Sequence, residues 1–221
     1  MYRQYDAVIC ISDKAKDNLT THINNERGIV TINNGIDYQI FASRIKTTLP
    51  DIKTIIMVAS MRDAKDQDTV IRAMTLLGNK YRLKLVGDGP RRIALEQLSN
   101  ELKCSENIEF MGNQSDIPSL LETSDVVVLS SHWEGLSLAS IEGMASGRPF
   151  IASDVQGLSE WVKDYGILFP HGDDLALAKA IKALCENPNY YRSVAVRCQQ
   201  RAKQFDISET AKKYNDLYHS L

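Results

Sequence analysis

Glu134 and Glu142 stand eight positions apart in WEGLSLASIEGMASGRPFIASDV, on either side of a small-residue turn that looks like a helix start. With Ser137 as N-cap, a helix over Ser137–Ser146 puts Glu134 just before its first turn and Glu142 about a turn and a half inside. At about 1.5 Å of rise per residue the two acids lie about 10 Å apart, the length of a diphosphate bridge. Between them the N–H groups of Gly135, Leu136 and Ser137 point along the axis, and the positive end of the helix dipole is a seat for phosphate charge. Carboxylates beside phosphate repel it unless they face uncharged hydroxyls, so one acid for each of two sugars is the simplest reading. Taken singly, Glu134 reads equally as a loop acid and Glu142 as a solvated helix position. The neighbours Ile141 and Met144, in a helix of small and apolar residues, tip the balance toward a packed helix whose carboxylate has a partner.

Three other loops could serve the same ligand. MRDAKDQD brings Arg62 and Lys65 close to a strand end, where a planar fork and a point charge could hold a diphosphate; alone it reads as a solvated loop with Asp63 and Asp66 as partners. In VGDGPRR, Gly87 and Gly89 let backbone approach a ligand, and a helix opened by Pro90 offers free N–H groups to an anion. Arg92 stands where a dinucleotide fingerprint needs its third glycine, and no GxxxxGK[ST] occurs, so those two nucleotide sites are disfavoured. MGNQSDIP, with Met111, Gly112 and Asn113, has little side-chain chemistry, though its backbone could pair with a base edge.

These loops need a scaffold. From Thr54 onward the runs TIIMVAS, YRLKLVG, NIEFMG, DVVVLSS, RPFIASDV and GILFP alternate with helical patterns over Asp66–Leu77, Arg91–Leu102, Ser115–Glu122 and Ser137–Ser146. Strands that are continuously apolar, with no polar alternation, are buried on both faces, and the fold class is α/β: a doubly wound parallel sheet. Ligands of such sheets bind at the carboxyl ends of the strands. Helical segments Asp173–Cys185, Pro188–Gln204 and Ser208–Ser220 form a C-terminal tail. Residues 1–50 differ: YDAVICIS and GIVTI read as strands, KAKDNLTTHI as a helix, NNGID as a turn, and FASRIKTTLPD as a linker without period.

The chain has 221 residues, 43% hydrophobic and 24% charged, with a net charge of -2, so no global basic field points to nucleic acid. The apolar runs are too short to cross a bilayer and MYRQYDAVIC lacks the regions of a signal peptide, which places the chain in the cytoplasm. Cys10, Cys104, Cys185 and Cys198 are scattered, as reduced thiols would be, and His22, His132, His171 and His219 are equally dispersed. Only His132, two residues before Glu134, resembles a ligand pair, and polar-loop duty is its plainer role; no metal site is expected.

With these residues in place, the sequence resembles the retaining glycosyltransferases of family GT4, the glycosyl transferases group 1, which have the GT-B fold. EGLSLASIE matches the E-x7-E signature, GMASGRPFIASDVQGLSEWV the segment after it, LVGDGPRR the GDGP loop, and ISDKAKDNL through TINNGID the inter-domain hinge. The resemblance implies that Glu134 contacts hydroxyls of the donor sugar and Glu142 the nucleotide ribose, with Gly135, Leu136 and Ser137 bonding the diphosphate through their backbone. It adds Gly87, Asp88, Gly89 and Met111 to the donor site and makes Lys65 the phosphate-binding lysine, catalytic together with Glu134. The family's arginine precedes that lysine by five residues, where this chain has Ser60; either Arg62 substitutes from a shifted loop or the contact is absent.

On this resemblance residues 51–205 form the Rossmann-like, nucleotide-sugar-binding domain of the GT-B C-terminal half. Residues 1–50 are a remnant of the acceptor domain plus hinge, and 206–221 a terminal helix. It implies transfer of a hexose, with retention, from a UDP- or GDP-sugar to a glycan or lipid-linked acceptor held by a separate N-terminal domain, at the inner membrane face. No cofactor or metal is needed in that scheme, and no DxD pattern sits beside the phosphate loops. Two other readings stay open: a binding module without turnover, and a nucleotide-sugar epimerase of the same fold, for which the chain shows no clear acid and base set.

Overall fold

A computed structural model describes residues 5–23 and 28–221; Met1–Gln4 and 24–27, parts of the N-terminal segment expected as an acceptor-domain remnant, lie outside the described residues. The chain begins with β1 (Val8–Cys10), α1 (Asp13–Ile23) and β2 (Ile29–Thr31), then a single-turn helix α2 (Tyr38–Phe41). The main unit follows as β3 (Lys53–Val58), α3 (Gln67–Leu77), β4 (Tyr81–Val86), α4 (Arg92–Glu101), β5 (Ile108–Gly112), α5 (Ile117–Thr123) and β6 (Val126–Leu129). It continues through α6 (Leu138–Ala145), β7 (Phe150–Ser153), α7 (Ser159–Val162), β8 (Ile167–Phe169), α8 (Asp174–Glu186), α9 (Pro188–Ala202) and α10 (Ile207–Ser220).

All six strands from β3 onward are parallel, in the order β5-β4-β3-β6-β7-β8. The chain winds outward one way from β3 and the other way from β6, so the sheet's switch point lies between these two central strands. Helix α3 packs against α4 and against α8, and α6 packs against α9. That double cover explains why every residue of β6 and β7 is buried, each apolar side chain contributing about 2 kcal/mol of transfer free energy.

β1 and β2 make their own two-stranded parallel sheet and do not extend the main one. The chain's end returns to the segment that follows β2. Ile36 N–H donates to the Phe205 carbonyl at 3.0 Å, Ile207 N–H donates to the Ile36 carbonyl at 2.8 Å, and Thr210 Oγ1 donates to the Asn33 carbonyl at 3.1 Å.

The stretch read as a periodless linker is in fact held down. Asp37 caps α2 through the Gln39 and Ile40 amides, and Lys46 reaches Asp125 at 2.6 Å. Arg148, 2% exposed, donates from Nε to the Ser124 carbonyl at 2.9 Å and from its terminal nitrogens to the Arg44 (2.9 Å) and Glu122 (2.5 Å) carbonyls. One guanidinium thus fastens the linker to the end of α5. Arg148→Met keeps the bulk but strands these carbonyls, so the urea-unfolding free energy is expected to fall by about 2 kcal/mol. An unchanged midpoint would contradict that role.

Candidate functional site

The switch point is where the loops after β3 and β6 meet, and hydrogen bonds stitch them together. Ser130 Oγ donates to the Asp66 and Lys65 carbonyls at 2.7 and 3.1 Å, and His132 N–H donates to the Ala64 carbonyl at 2.9 Å. The stitch sets Lys65 Nζ against Glu134 Oε1 in an ion pair that spans 69 positions of sequence. Ser131 Oγ donates to the same carboxylate oxygen at 2.7 Å. The Glu134 side chain is only 9% exposed and that of Lys65 22%, so the pair sits in a partly dry pocket and is firmer than a surface bridge. Gly157 holds the loop from the other side: at φ +89°, an added Cβ would lie 1.7 Å from the Glu134 carbonyl.

The solvated-loop reading of MRDAKDQD is corrected by these contacts. Asp63 pairs with Arg91 at 2.6 Å, Asp66 caps α3 through the Thr69 amide, and Lys65 looks to Glu134. Arg62 is exposed and, among the described residues, makes no ion pair or side-chain hydrogen bond.

Helix α6 begins where the spacing predicts. Ser137 occupies the N-cap with extended backbone, and its carbonyl accepts the Ser140 and Ile141 amides, but its hydroxyl makes no cap bond. Among the described residues, the Gly135, Leu136 and Ser137 N–H groups have no protein acceptor, so the amino end of the helix keeps free donors. Glu142 lies on the second turn, half-buried and without a hydrogen-bond partner among the described residues; burial raises its carboxyl above the ordinary glutamate value.

At the carboxyl ends of β3, β4 and β5 is an open cleft of ≈ 350 Å³, within the size range of small-ligand sites. Lys65, Ser60, Gly87, Asn113, Gln114 and Ala139 of the first turn of α6 line it. Gly135 and Leu136 face a second hollow of ≈ 340 Å³ shared with Ser12, Asn33 and Arg201. The 135–139 loop therefore walls both.

The GDGP loop differs from expectation in why it needs glycine. An added Cβ on Gly87 (φ +124°) would stand 2.2 Å from the Ala59 carbonyl, and one on Gly89 2.4 Å from the Met61 carbonyl, so both serve close approach to the β3–α3 loop. The helix amides expected to be free are used: Arg91 N–H donates to Met61 and Arg92 N–H to Gly89. Asp88 caps the Gly89 amide at 2.7 Å and pairs with Arg92 at 3.3 Å. The Met111 carbonyl accepts from Gln114 Nε2 at 2.7 Å. Sequence reasoning missed Ser131 and Gln114, which carry no motif of their own. It also treated His132 and His171 as dispersed, yet their rings meet with centroids 4.7 Å apart.

The family profile described as Glycosyl transferases group 1 matches residues 39–205. The N-acetyl-alpha-D-glucosaminyl L-malate synthase of Bacillus anthracis is 26% identical over 230 residues, covering 99% of this chain and 60% of that protein. The lipopolysaccharide core biosynthesis glycosyltransferase LpsD of Rhizobium meliloti is 39% identical over 122 residues, 54% of this chain and 35% of that protein. Among solved structures, Anabaena Alr3699/HepE in complex with UDP-glucose matches with a TM-score of 0.89 at 22% identity, over 98% of this chain and 64% of that one. The chain thus spans less than two thirds of each of these proteins.

Proposed function

Because the chain belongs to the glycosyl transferases group 1 family, we propose that it acts as the donor-binding unit of a retaining glycosyltransferase. It takes a hexose from a UDP- or GDP-sugar and passes it to a glycan or lipid-linked acceptor held by a separate N-terminal domain. The observation that carries this reading is the Lys65–Glu134 pair, set beside the open amino end of α6 and the cleft at the carboxyl ends of β3, β4 and β5. A fold neighbour that binds UDP-glucose adds support for the donor class.

In such a reaction negative charge collects on the departing diphosphate while an oxocarbenium-like sugar forms. Lys65 and the Gly135–Ser137 amides are the groups suited to that charge, fixed before the reaction begins. Glu134, already neutralised by Lys65, can accept sugar hydroxyls without repelling the phosphates. Glu142 takes the ribose.

Calorimetric titration with UDP, GDP, ADP and their sugars tests the proposal. One nucleotide should bind, and more weakly in Glu142→Ala; no heat with any of them at millimolar concentration sinks the donor site.

Glu142 also gives a pH signature. Its folded value is raised from the ordinary 4.5, so the folded state holds the proton more tightly than the unfolded one. Stability is then greatest below that ordinary value and declines as pH climbs through the raised one. Ribose hydroxyls need the carboxylate as acceptor, so nucleotide affinity runs the other way and weakens on acidification. Urea unfolding from about pH 4 to about pH 8 should show the decline in the native chain and a flatter profile in Glu142→Gln. Parallel profiles would remove Glu142 as the cause.

A further inference from the structure

We propose that Asp66, His132 and His171 bind one divalent transition-metal ion of the zinc class. The three residues come from three separate loops, after β3, β6 and β8, yet their ligand atoms all lie within 4.8 Å of one another. His132 Nδ1 stands 2.5 Å from His171 Nε2, and His171 Nε2 stands 3.9 Å from Asp66 Oδ2. A tetrahedral ion with bonds of about 2.0–2.1 Å separates its ligand atoms by about 3.3 Å, between those two distances, so small side-chain rotations bring all three to one centre.

The chemistry of the set points the same way. The two imidazole nitrogens face each other within hydrogen-bond distance, one as donor and one as acceptor, and an ion between them would take the place of the shared proton. The third ligand is a carboxylate only 5% exposed, and a buried carboxylate is costly without a cation. Lys65, its neighbour in sequence, is committed to Glu134, and among the described residues His171 is the basic side chain that comes within 4.0 Å of the Asp66 carboxylate. Thr69 completes the arrangement: its hydroxyl donates to Asp66 Oδ2 at 2.7 Å and its amide to Oδ1 at 3.3 Å, the outer-shell support that orients a ligating carboxylate. Asp66 is held in the left-handed region at φ 48°, which turns its side chain toward the histidines' loops while it caps α3. Two imidazoles and one carboxylate suit zinc, nickel or cobalt better than magnesium or calcium, and they leave a position for water.

An ion here ties the loops after β3, β6 and β8 into one rim, and two of those loops carry Lys65 and Glu134. The proposal is independent of the donor reading, since its test uses no nucleotide. The full chain is stripped with a chelator, dialysed, and titrated with zinc chloride by calorimetry and with cobalt chloride by visible absorption. One ion per chain is expected at micromolar affinity or tighter, with the visible bands of a low-coordinate cobalt site and a thermal midpoint several degrees higher with zinc. His171→Ala and Asp66→Asn should each weaken binding at least about tenfold. Asparagine caps helices and tolerates positive φ as well as aspartate does, so loss in Asp66→Asn is not loss of the fold. Absence of saturable binding below millimolar metal, or binding that survives unchanged in His171→Ala, overturns the site and leaves the histidines as a proton-sharing pair.

Discussion

Lys65→Ala is expected to weaken binding of UDP by about 100-fold or more and to leave binding of uridine nearly unchanged. The lysine is placed at the strand end by the 63–65 turn and held there through the Ser130 bond to its carbonyl. Its side chain is less than one quarter exposed, so its charge acts with less screening than on an open surface. With an acceptor half supplied, transfer should fall by about 10²- to 10³-fold, the usual effect of removing one donor aimed at developing charge. The substitution also leaves Glu134 without its cation, so the double variant Lys65→Ala/Glu134→Gln should regain thermal stability without regaining UDP affinity. Equal losses for UDP and uridine would show that Lys65 does not meet the diphosphate.

Glu142→Ala should give the complementary pattern: a loss of about 30- to 100-fold for both UDP and uridine. Two ribose hydroxyls donating to one carboxylate are worth about 2 to 3 kcal/mol, and neither bond depends on the phosphates. The native residue shows the tension expected of a binding group, since burial works against its charge and among the described residues no internal partner relieves it. Removing the carboxylate should therefore stabilise the chain without nucleotide at neutral pH while it impairs binding. A variant that loses stability and keeps affinity would assign Glu142 to packing instead.

The central sheet was legible because its strands are buried on both faces: VVVL and FIAS leave no room for a polar alternation, and glycine or aspartate marks the flanking turns. Helices α2 and α7 were not, since four residues cannot display a period of 3.6. The position of α6 and its free amino end followed from local spacing around Ser137. The Lys65–Glu134 pair did not, because it depends on two loops brought together at the switch point, and a local pattern cannot say which aspartate or glutamate a given lysine will meet. Gly87 and Gly89 looked like gaps for a ligand, yet what comes close is the chain's own Ala59 and Met61 carbonyls. Arg148 lay in plain view in SGRPF, but an arginine that binds only carbonyls leaves no charge pattern to read.

The two backbone bonds between Ile36 and the Phe205–Ile207 turn mean that the polypeptide crosses into the large sheet and back out through a single doorway. The terminal helix is fastened through Thr210 to Asn33, in the segment after the small two-stranded sheet. Bonds at both crossings brace the passage, so the two segments that run between the small sheet and the large one are held side by side.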